Sequence, residues 1–133
     1  MKRSAYAVSL EELGDCVSGR DTPEEALDLR ELGRAVGDYL RTLPLPARRA
    51  FLCRYYYADS LAETARVCGI SVPAVKSQLY RTRQGLRTYL EKEALTYEPE
   101  QLSDAMSELP QELLEETQAA RSRRRLRWKP LAA

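Results

Sequence analysis

The sequence predicts an all-α fold: a small helical bundle followed by a helical or flexible C-terminal tail. Two kinds of local signal support this prediction. Apolar residues recur at steps of three and four, as they do on one face of a helix, and small polar residues stand where helices would begin. Prolines and a glycine follow where those helices would end. With 133 residues, the chain has room for one compact domain and its flanking segments.

The first predicted helix runs over residues 23–42. Thr22 supplies the hydroxyl of a helix cap, and Pro23 is suited to the first helical position. Pro44 then stops the helix, because proline lacks the backbone N–H that a helix needs. The apolar face consists of Ala26, Leu29, Leu32, Val36, Leu40 and Leu43. Residues 1–21, before this helix, are predicted to be mostly a linker, with a short helical turn at SLEEL.

Three further helices follow in close succession. The segment ARRAFLCRYYY predicts a second helix, whose three consecutive tyrosines cannot all face the core. Ser60 caps a third helix of about two turns, which Gly69 ends. Ser71 caps a longer fourth helix over residues 72–92. Pro73 is tolerated in that helix because it lies in the first turn.

A short helix, a turn with a glycine and a longer helix with a basic exposed face are typical of a helix-turn-helix. The predicted domain is winged-helix-like and DNA-binding, without a clear wing. The residues predicted to pack its two helices together are Leu61, Ala65, Gly69, Ile70, Val75 and Leu79. The residues predicted to lie on or near the outward face and to contact DNA are Ser71, Val72, Pro73, Lys76, Ser77, Tyr80, Arg81 and Arg83. Lysine and arginine can donate to guanine edges or to phosphates, and the hydroxyls can contact either.

The charge distribution favours the same interpretation. The net charge is only +1, but residues 44–92 carry nine basic and three acidic side chains, and both flanking segments are net acidic. A basic block on one short helical unit is expected of a surface that binds phosphates. The alternative is an ordinary helical bundle with a positively charged solvated surface.

Several other classes of protein are disfavoured by the composition. The chain has no histidine, its three cysteines lack metal-ligand spacing, and no Gly-rich phosphate loop is present, so we expect neither catalysis nor a cofactor. Cys16, Cys53 and Cys68 are interpreted as small buried hydrophobic residues. No apolar stretch reaches the length of a membrane span, and the start lacks the apolar core of a signal peptide. We therefore expect a cytoplasmic protein without a membrane span.

The C-terminal part of the chain differs in character from the rest. Residues 94–133 are at first acidic, with leucines at helical spacing, and end in the basic run RSRRRLRWKPLAA. This pattern predicts two short amphipathic helices, near 99–108 and 111–120, outside the central core. Two interpretations of the tail stay open: a flexible charged segment, or a helix that binds this chain or a partner. The predicted division is thus a linker over 1–21, a domain over 22–93 and a charged tail.

The segment LPLPARRAFLCRYYYADSLAETARVCGISVPAVKSQLYRTRQGLRTYLEKE resembles region 4 of the sigma-70 family of RNA polymerase sigma factors, of the extracytoplasmic-function type. In that family an "LP...R.vF.LRYY" helix precedes "s..EIA...GIS...VKS.L.RAR..LR..L". The matching residues here are Leu43-Pro44, Phe51, Arg54-Tyr55-Tyr56, Glu63, Ala65, Gly69-Ile70-Ser71, Val75-Lys76-Ser77, Leu79, Arg81, Arg83 and Leu86-Arg87. Thr64 departs from the family's usual isoleucine, and Pro73 lies within the recognition helix.

The resemblance implies that helix 72–92 recognises the promoter −35 element during transcription initiation and that the domain docks on core RNA polymerase. An anti-sigma factor is a further candidate partner. Because only about forty residues precede the match, we expect the family's region 2 to be absent. Two other functions stay open. A helix-turn-helix repressor or activator would need a dimer that spaces two half-sites about 34 Å apart, and an interaction module would capture an anti-sigma factor without using DNA.

Overall fold

The structure, a computed structural model, describes residues 11–16, 28–93 and 97–128. Its α-helices are α1 (Leu29–Thr42), α2 (Leu45–Tyr55), α3 (Leu61–Cys68), α4 (Val72–Lys92), α5 (Pro99–Ala105) and α6 (Gln111–Trp128). Residues 11–13 are also helical and lead into a 3-10 turn at Gly14–Cys16, and a second such turn, Met106–Glu108, follows α5. No strand occurs in this part of the chain, so the predicted all-α fold is confirmed.

The helix α1 begins with a side-chain cap. Asp28 is its N-cap, and the carboxylate accepts a hydrogen bond of 2.9 Å from the backbone N–H of Arg30. The predicted cap and start, Thr22 and Pro23, lie outside the described residues. From there on the predicted apolar face is confirmed, and its buried members are Leu32, Val36 and Leu40. The helix ends, as predicted, just before the proline-containing turn that leads into α2.

The helices α2, α3 and α4 agree closely with the predicted bounds. The largest buried side chains that they contribute to the core are Phe51, Leu52, Val75, Leu79, Leu86 and Leu90. The three consecutive tyrosines are divided as expected: Tyr55 is buried, Tyr57 is half-buried and Tyr56 is exposed. Tyr39 of α1 donates a hydrogen bond of 3.0 Å to the backbone oxygen of Thr82, which joins α1 to α4.

The C-terminal helices pack against the central helices, which corrects the expectation that they lie outside the core. Their buried apolar residues are Leu102, Ala105, Met106, Leu109, Leu113 and Leu114, and these belong to the same cluster as the residues of α1, α2 and α4. The predicted helices near 99–108 and 111–120 are present, but α6 continues through most of the basic run to Trp128. The leucine spacing that predicted amphipathic helices therefore buries their apolar faces within the chain itself.

Two glycines of α1 allow this close packing. A Cβ atom on Gly33 would lie 2.7 Å from Cβ of Glu108 and 2.8 Å from the backbone oxygen of Ala105. A Cβ atom on Gly37 would lie 3.1 Å from Cδ of Pro110. The two contacts at Gly33 are shorter than non-bonded atoms adopt, so a side chain there would push the chain between α5 and α6 away from α1. The contact at Gly37 is tight, but a small shift of the proline ring can relieve it.

The N-terminal turn also contributes to the core. Leu13 and Cys16 are almost fully buried, and the hydroxyl of Tyr97 donates a hydrogen bond to the backbone oxygen of Cys16. The helical turn predicted at SLEEL is present at residues 11–13, but Leu13 and Cys16 are packed in the core, so this part of residues 1–21 is not a free linker. That residues 22–93 form a domain without their flanking segments stays a prediction. Among the helices described, none combines the length and the apolar character that crossing a membrane requires.

Candidate DNA-binding surface

The caps and the turn of the helix-turn-helix lie where the sequence predicts them. The hydroxyl of Ser60 accepts a hydrogen bond of 3.0 Å from the backbone N–H of Glu63, and that of Ser71 accepts one of 3.2 Å from Ala74. Gly69 ends α3 in the left-handed conformation with φ of 70°, which glycine adopts without steric cost. The carboxylate of Glu63 pairs with Arg66 at 2.9 Å.

The predicted packing residues lie between α3 and α4. Ala65, Val75 and Leu79 are buried, and Leu61 and Ile70 are half-buried against the same core. Thr64, where the family more often has isoleucine, is fully buried, and its hydroxyl donates 2.9 Å to the backbone oxygen of Ser60. This internal bond satisfies the hydroxyl, so the polar substitution is accommodated.

The outward face of α4 carries most of the predicted DNA-binding residues. Those that are exposed recur at steps of three and four and therefore form one stripe along the helix. They are Pro73, Lys76, Ser77, Tyr80 and Arg81, and Ala74 beside them is also exposed. Tyr80 is 56% exposed, which is the largest exposure among the large hydrophobic residues of the described chain. Ser71 is exposed at the start of the helix, and Val72 is half-buried beside it.

Arg83 is the exception, and its placement on the DNA-binding face is wrong. It is only 9% exposed, and its Nη1 donates a hydrogen bond of 2.8 Å to the hydroxyl of Tyr55. Burial raises the pKa of Tyr55, and the nearby Glu12 raises it further, so the tyrosine stays protonated and its oxygen accepts from the guanidinium. Arg83 thus belongs to the polar part of the core.

The spacing along α4 could have revealed the position of Arg83. Leu79, Arg83, Leu86 and Leu90 follow one another at steps of four, three and four, so they lie in one row facing the core. A similar buried arginine, Arg54 in α2, pairs with Glu12 at 2.9 Å. Long side chains can bury their stems and still reach a partner, so charge alone does not place a residue outside.

The acidic C-terminal helices leave the stripe on α4 open. Glu112 pairs with Arg41 of α1 at 2.6 Å, and Glu116 pairs with Arg48 of α2 at 3.1 Å. The stripe residues stay exposed although α5 and α6 are packed on the domain. These carboxylates therefore neutralise arginines of α1 and α2, and the cations of the α4 stripe remain accessible.

The cysteines show the surroundings expected of buried hydrophobic residues. Cys16 and Cys53 are buried, Cys68 is half-buried, and none of the three forms a disulfide. Burial raises the pKa of the Cys53 thiol, which keeps it protonated and weakens it as a nucleophile or ligand. Within residues 11–16, 28–93 and 97–128, no group of three or more potential ligands could hold a metal ion.

The comparisons with known proteins agree with this geometry. The family model for Sigma-70, region 4, matches residues 33–86, which include the whole of α3, the turn and most of α4. This segment of the chain is a sigma-70 region 4 domain. No curated protein and no solved structure matches the chain. Region 4 domains are non-enzymatic parts of transcription factors and in general bind the promoter −35 element and RNA polymerase. The helices α5 and α6 lie outside the matched region 4 residues.

Proposed function

We propose that this region 4 domain reads a promoter −35 element with the exposed face of α4 and docks on core RNA polymerase in transcription initiation. The observation that carries the proposal is the stripe on α4, which starts just after the Gly69 turn and lies within the matched residues. In a helix-turn-helix the second helix enters the major groove with its N-terminal residues against the base edges. The stripe occupies that part of α4.

The chemistry of the stripe suits a DNA groove. Lys76 and Arg81 are exposed and lie five residues apart, or about 7.5 Å along the helix axis, so they can contact different base pairs or phosphates. Ser77 and Tyr80 add hydroxyls that contact bases or backbone oxygens. At the start of α4 the backbone N–H of Ala74 is already bonded to the Ser71 hydroxyl, so the N–H of Val72 and the positive end of the helix dipole are what favour a phosphate there. Pro73 has no backbone N–H and so cannot donate to a phosphate.

Binding of the full chain to duplex DNA tests the proposal. A pool of short duplexes with a randomised central segment is selected on the protein, and the enriched duplex is then compared with its scrambled version by fluorescence anisotropy. Lys76→Ala and Arg81→Ala should each weaken binding and lower the salt slope by about one if a phosphate contact is lost. Arg87→Ala is the matched control, because Arg87 lies farther along α4 and pairs with Glu91 at 3.2 Å.

Two results would favour other functions, and a third would refute half of the proposal. No enrichment of any sequence, with binding to an anti-sigma factor, would favour the interaction module. A dimer in light scattering that protects two half-sites would favour a repressor or activator. Binding to the enriched duplex, without any binding to purified core RNA polymerase in a pull-down, would leave the DNA half of the proposal standing and refute the polymerase half.

A further inference from the structure

The loop between α2 and α3 sets the start of the helix-turn-helix and has an unusual backbone. Ala58 has a φ of 56° and is, among the described residues, the one non-glycine residue with a positive φ. An alanine in this left-handed region is strained and persists only where its surroundings hold it. Ser60, two residues later, is the N-cap of α3. The conformation of this loop therefore decides where α3 begins.

The helix α6 holds this loop from outside the region 4 domain. Arg121 forms a two-pronged ion pair with Asp59, in which Nε and Nη2 donate hydrogen bonds of 2.9 and 2.8 Å to the two carboxylate oxygens. The Arg121 guanidinium carbon also lies 4.0 Å from the ring centre of Tyr57. The Tyr57 hydroxyl in turn donates 3.2 Å to the backbone oxygen of Leu114. Tyr57 and Asp59 of the loop thus both contact α6.

The backbone of Asp59 is bonded to α2, so this residue connects α2 with α6. Its backbone N–H donates 2.9 Å to the oxygen of Cys53, and its backbone oxygen accepts 3.0 Å from Nη1 of Arg54. The side chains of Asp59 and Arg121 are only 11% and 13% exposed. Without Arg121, the Asp59 carboxylate would be largely buried with no counterion from α6, and it could regain water only if the loop moved.

We propose that Arg121 is a positioning residue for DNA binding. Through Asp59, it holds the loop so that the start of α3 and the α4 packed on it meet DNA in one rigid arrangement. The positive end of the α3 dipole, which lies at this start, is suited to a DNA phosphate in such an arrangement. The inference rests on the proposed function above. Arg121 lies outside residues 33–86, so this region 4 domain takes part of its binding geometry from the C-terminal segment.

The test compares Arg121→Gln with two matched variants of α6 in the full chain. Arg123→Gln removes the same charge from an exposed position, and Glu116→Gln breaks the pair with Arg48 away from the loop. Arg121→Gln should weaken binding to the selected duplex by about five- to tenfold, a usual size for coupling between sites, and both controls by less than about twofold. Arg121→Lys, which keeps the charge without the planar fork, should lie between Arg121→Gln and the unaltered protein.

Hydrogen exchange separates positioning from general stability. Backbone N–H groups of residues 57–64 should exchange faster in Arg121→Gln, and those of α1 should not change. Equal binding in Arg121→Gln and the unaltered protein, equal weakening in Arg121→Gln and either control, or tighter binding in Arg121→Gln would each overturn the inference. If the unaltered protein binds no duplex, the proposed function has failed. In that case faster loop exchange would still support the holding role of Arg121, and unchanged exchange would overturn it.

Discussion

Replacing Gly33 by alanine tests whether the C-terminal segment lies against α1. The new Cβ atom would be 2.7 Å from Cβ of Glu108 and 2.8 Å from the oxygen of Ala105, and a backbone oxygen cannot rotate away. Overpacking of this kind costs about 1–3 kcal/mol. Alanine is better than glycine in a helix interior by about 1 kcal/mol. The net expectation is a loss of about 1 kcal/mol in the free energy of unfolding.

Thermal melting followed by far-UV circular dichroism measures this change. A loss of about 1 kcal/mol lowers the Tm of a chain of this size by roughly 4 °C. Gly37→Ala is the control, because its Cβ atom would lie 3.1 Å from Cδ of Pro110, and a small shift of the ring can relieve the contact. The helix gain then balances the crowding, and Tm should stay nearly constant. A higher Tm in Gly33→Ala, as at a glycine facing solvent, would refute the packing of the C-terminal segment on α1.

Three further predictions follow from the core. Arg83→Gln should cost about 1–3 kcal/mol of stability, because the buried Tyr55 hydroxyl loses its donor, and should leave the salt slope of DNA binding unchanged. Lys76→Ala should lower that salt slope and leave the stability unchanged. Deleting residues 97–133 should lower Tm by more than about 10 °C, because it uncovers the apolar faces of the central helices; an unchanged melt would show that the central domain folds alone. Burial raises the folded-state pKa of Tyr55 and Tyr97 above the ordinary value of 10.0, so their contribution to stability is full below that pH and is lost as pH rises through the folded pKa. Tyr97→Phe should flatten this alkaline decline in urea unfolding.

The helix-turn-helix could be predicted from the sequence because its signals are local. The hydroxyls of Ser60 and Ser71 each cap a helix within three residues, and Gly69 supplies the left-handed turn between them. These interactions join neighbours along the chain, so their residue types are informative without knowledge of the fold. The bounds of α3 and α4 agree with the predicted ones for this reason.

The surroundings of the helix-turn-helix depend on partners far along the chain, and there the prediction was wrong. The charge of Arg83 predicts a place on the DNA face, but its partner Tyr55 lies 28 residues earlier in the chain. The surface that receives the C-terminal helices depends on Gly33, where a side chain would collide with the backbone oxygen of Ala105. A sequence pattern presents this glycine only as a weak helix former. The composition of the basic run predicts a charged tail, although most of the run continues α6. The DNA-contacting roles of the α4 stripe stay predictions.

The long-range closure of this core has a consequence for folding during synthesis. The hydrogen bond from Tyr97 to Cys16 joins residues 81 positions apart, and the Arg41–Glu112 pair spans 71. The contacts between α3 and α4 are short-range and can form as soon as both helices leave the ribosome, whereas distant contacts close slowly. Gly33 and Gly37 of α1 therefore stay uncovered until the segment around Pro110 has been synthesised. During that interval the apolar surface of α1 that later receives α5 and α6 is exposed to solvent, and exposed surface of this kind makes a nascent chain prone to aggregation.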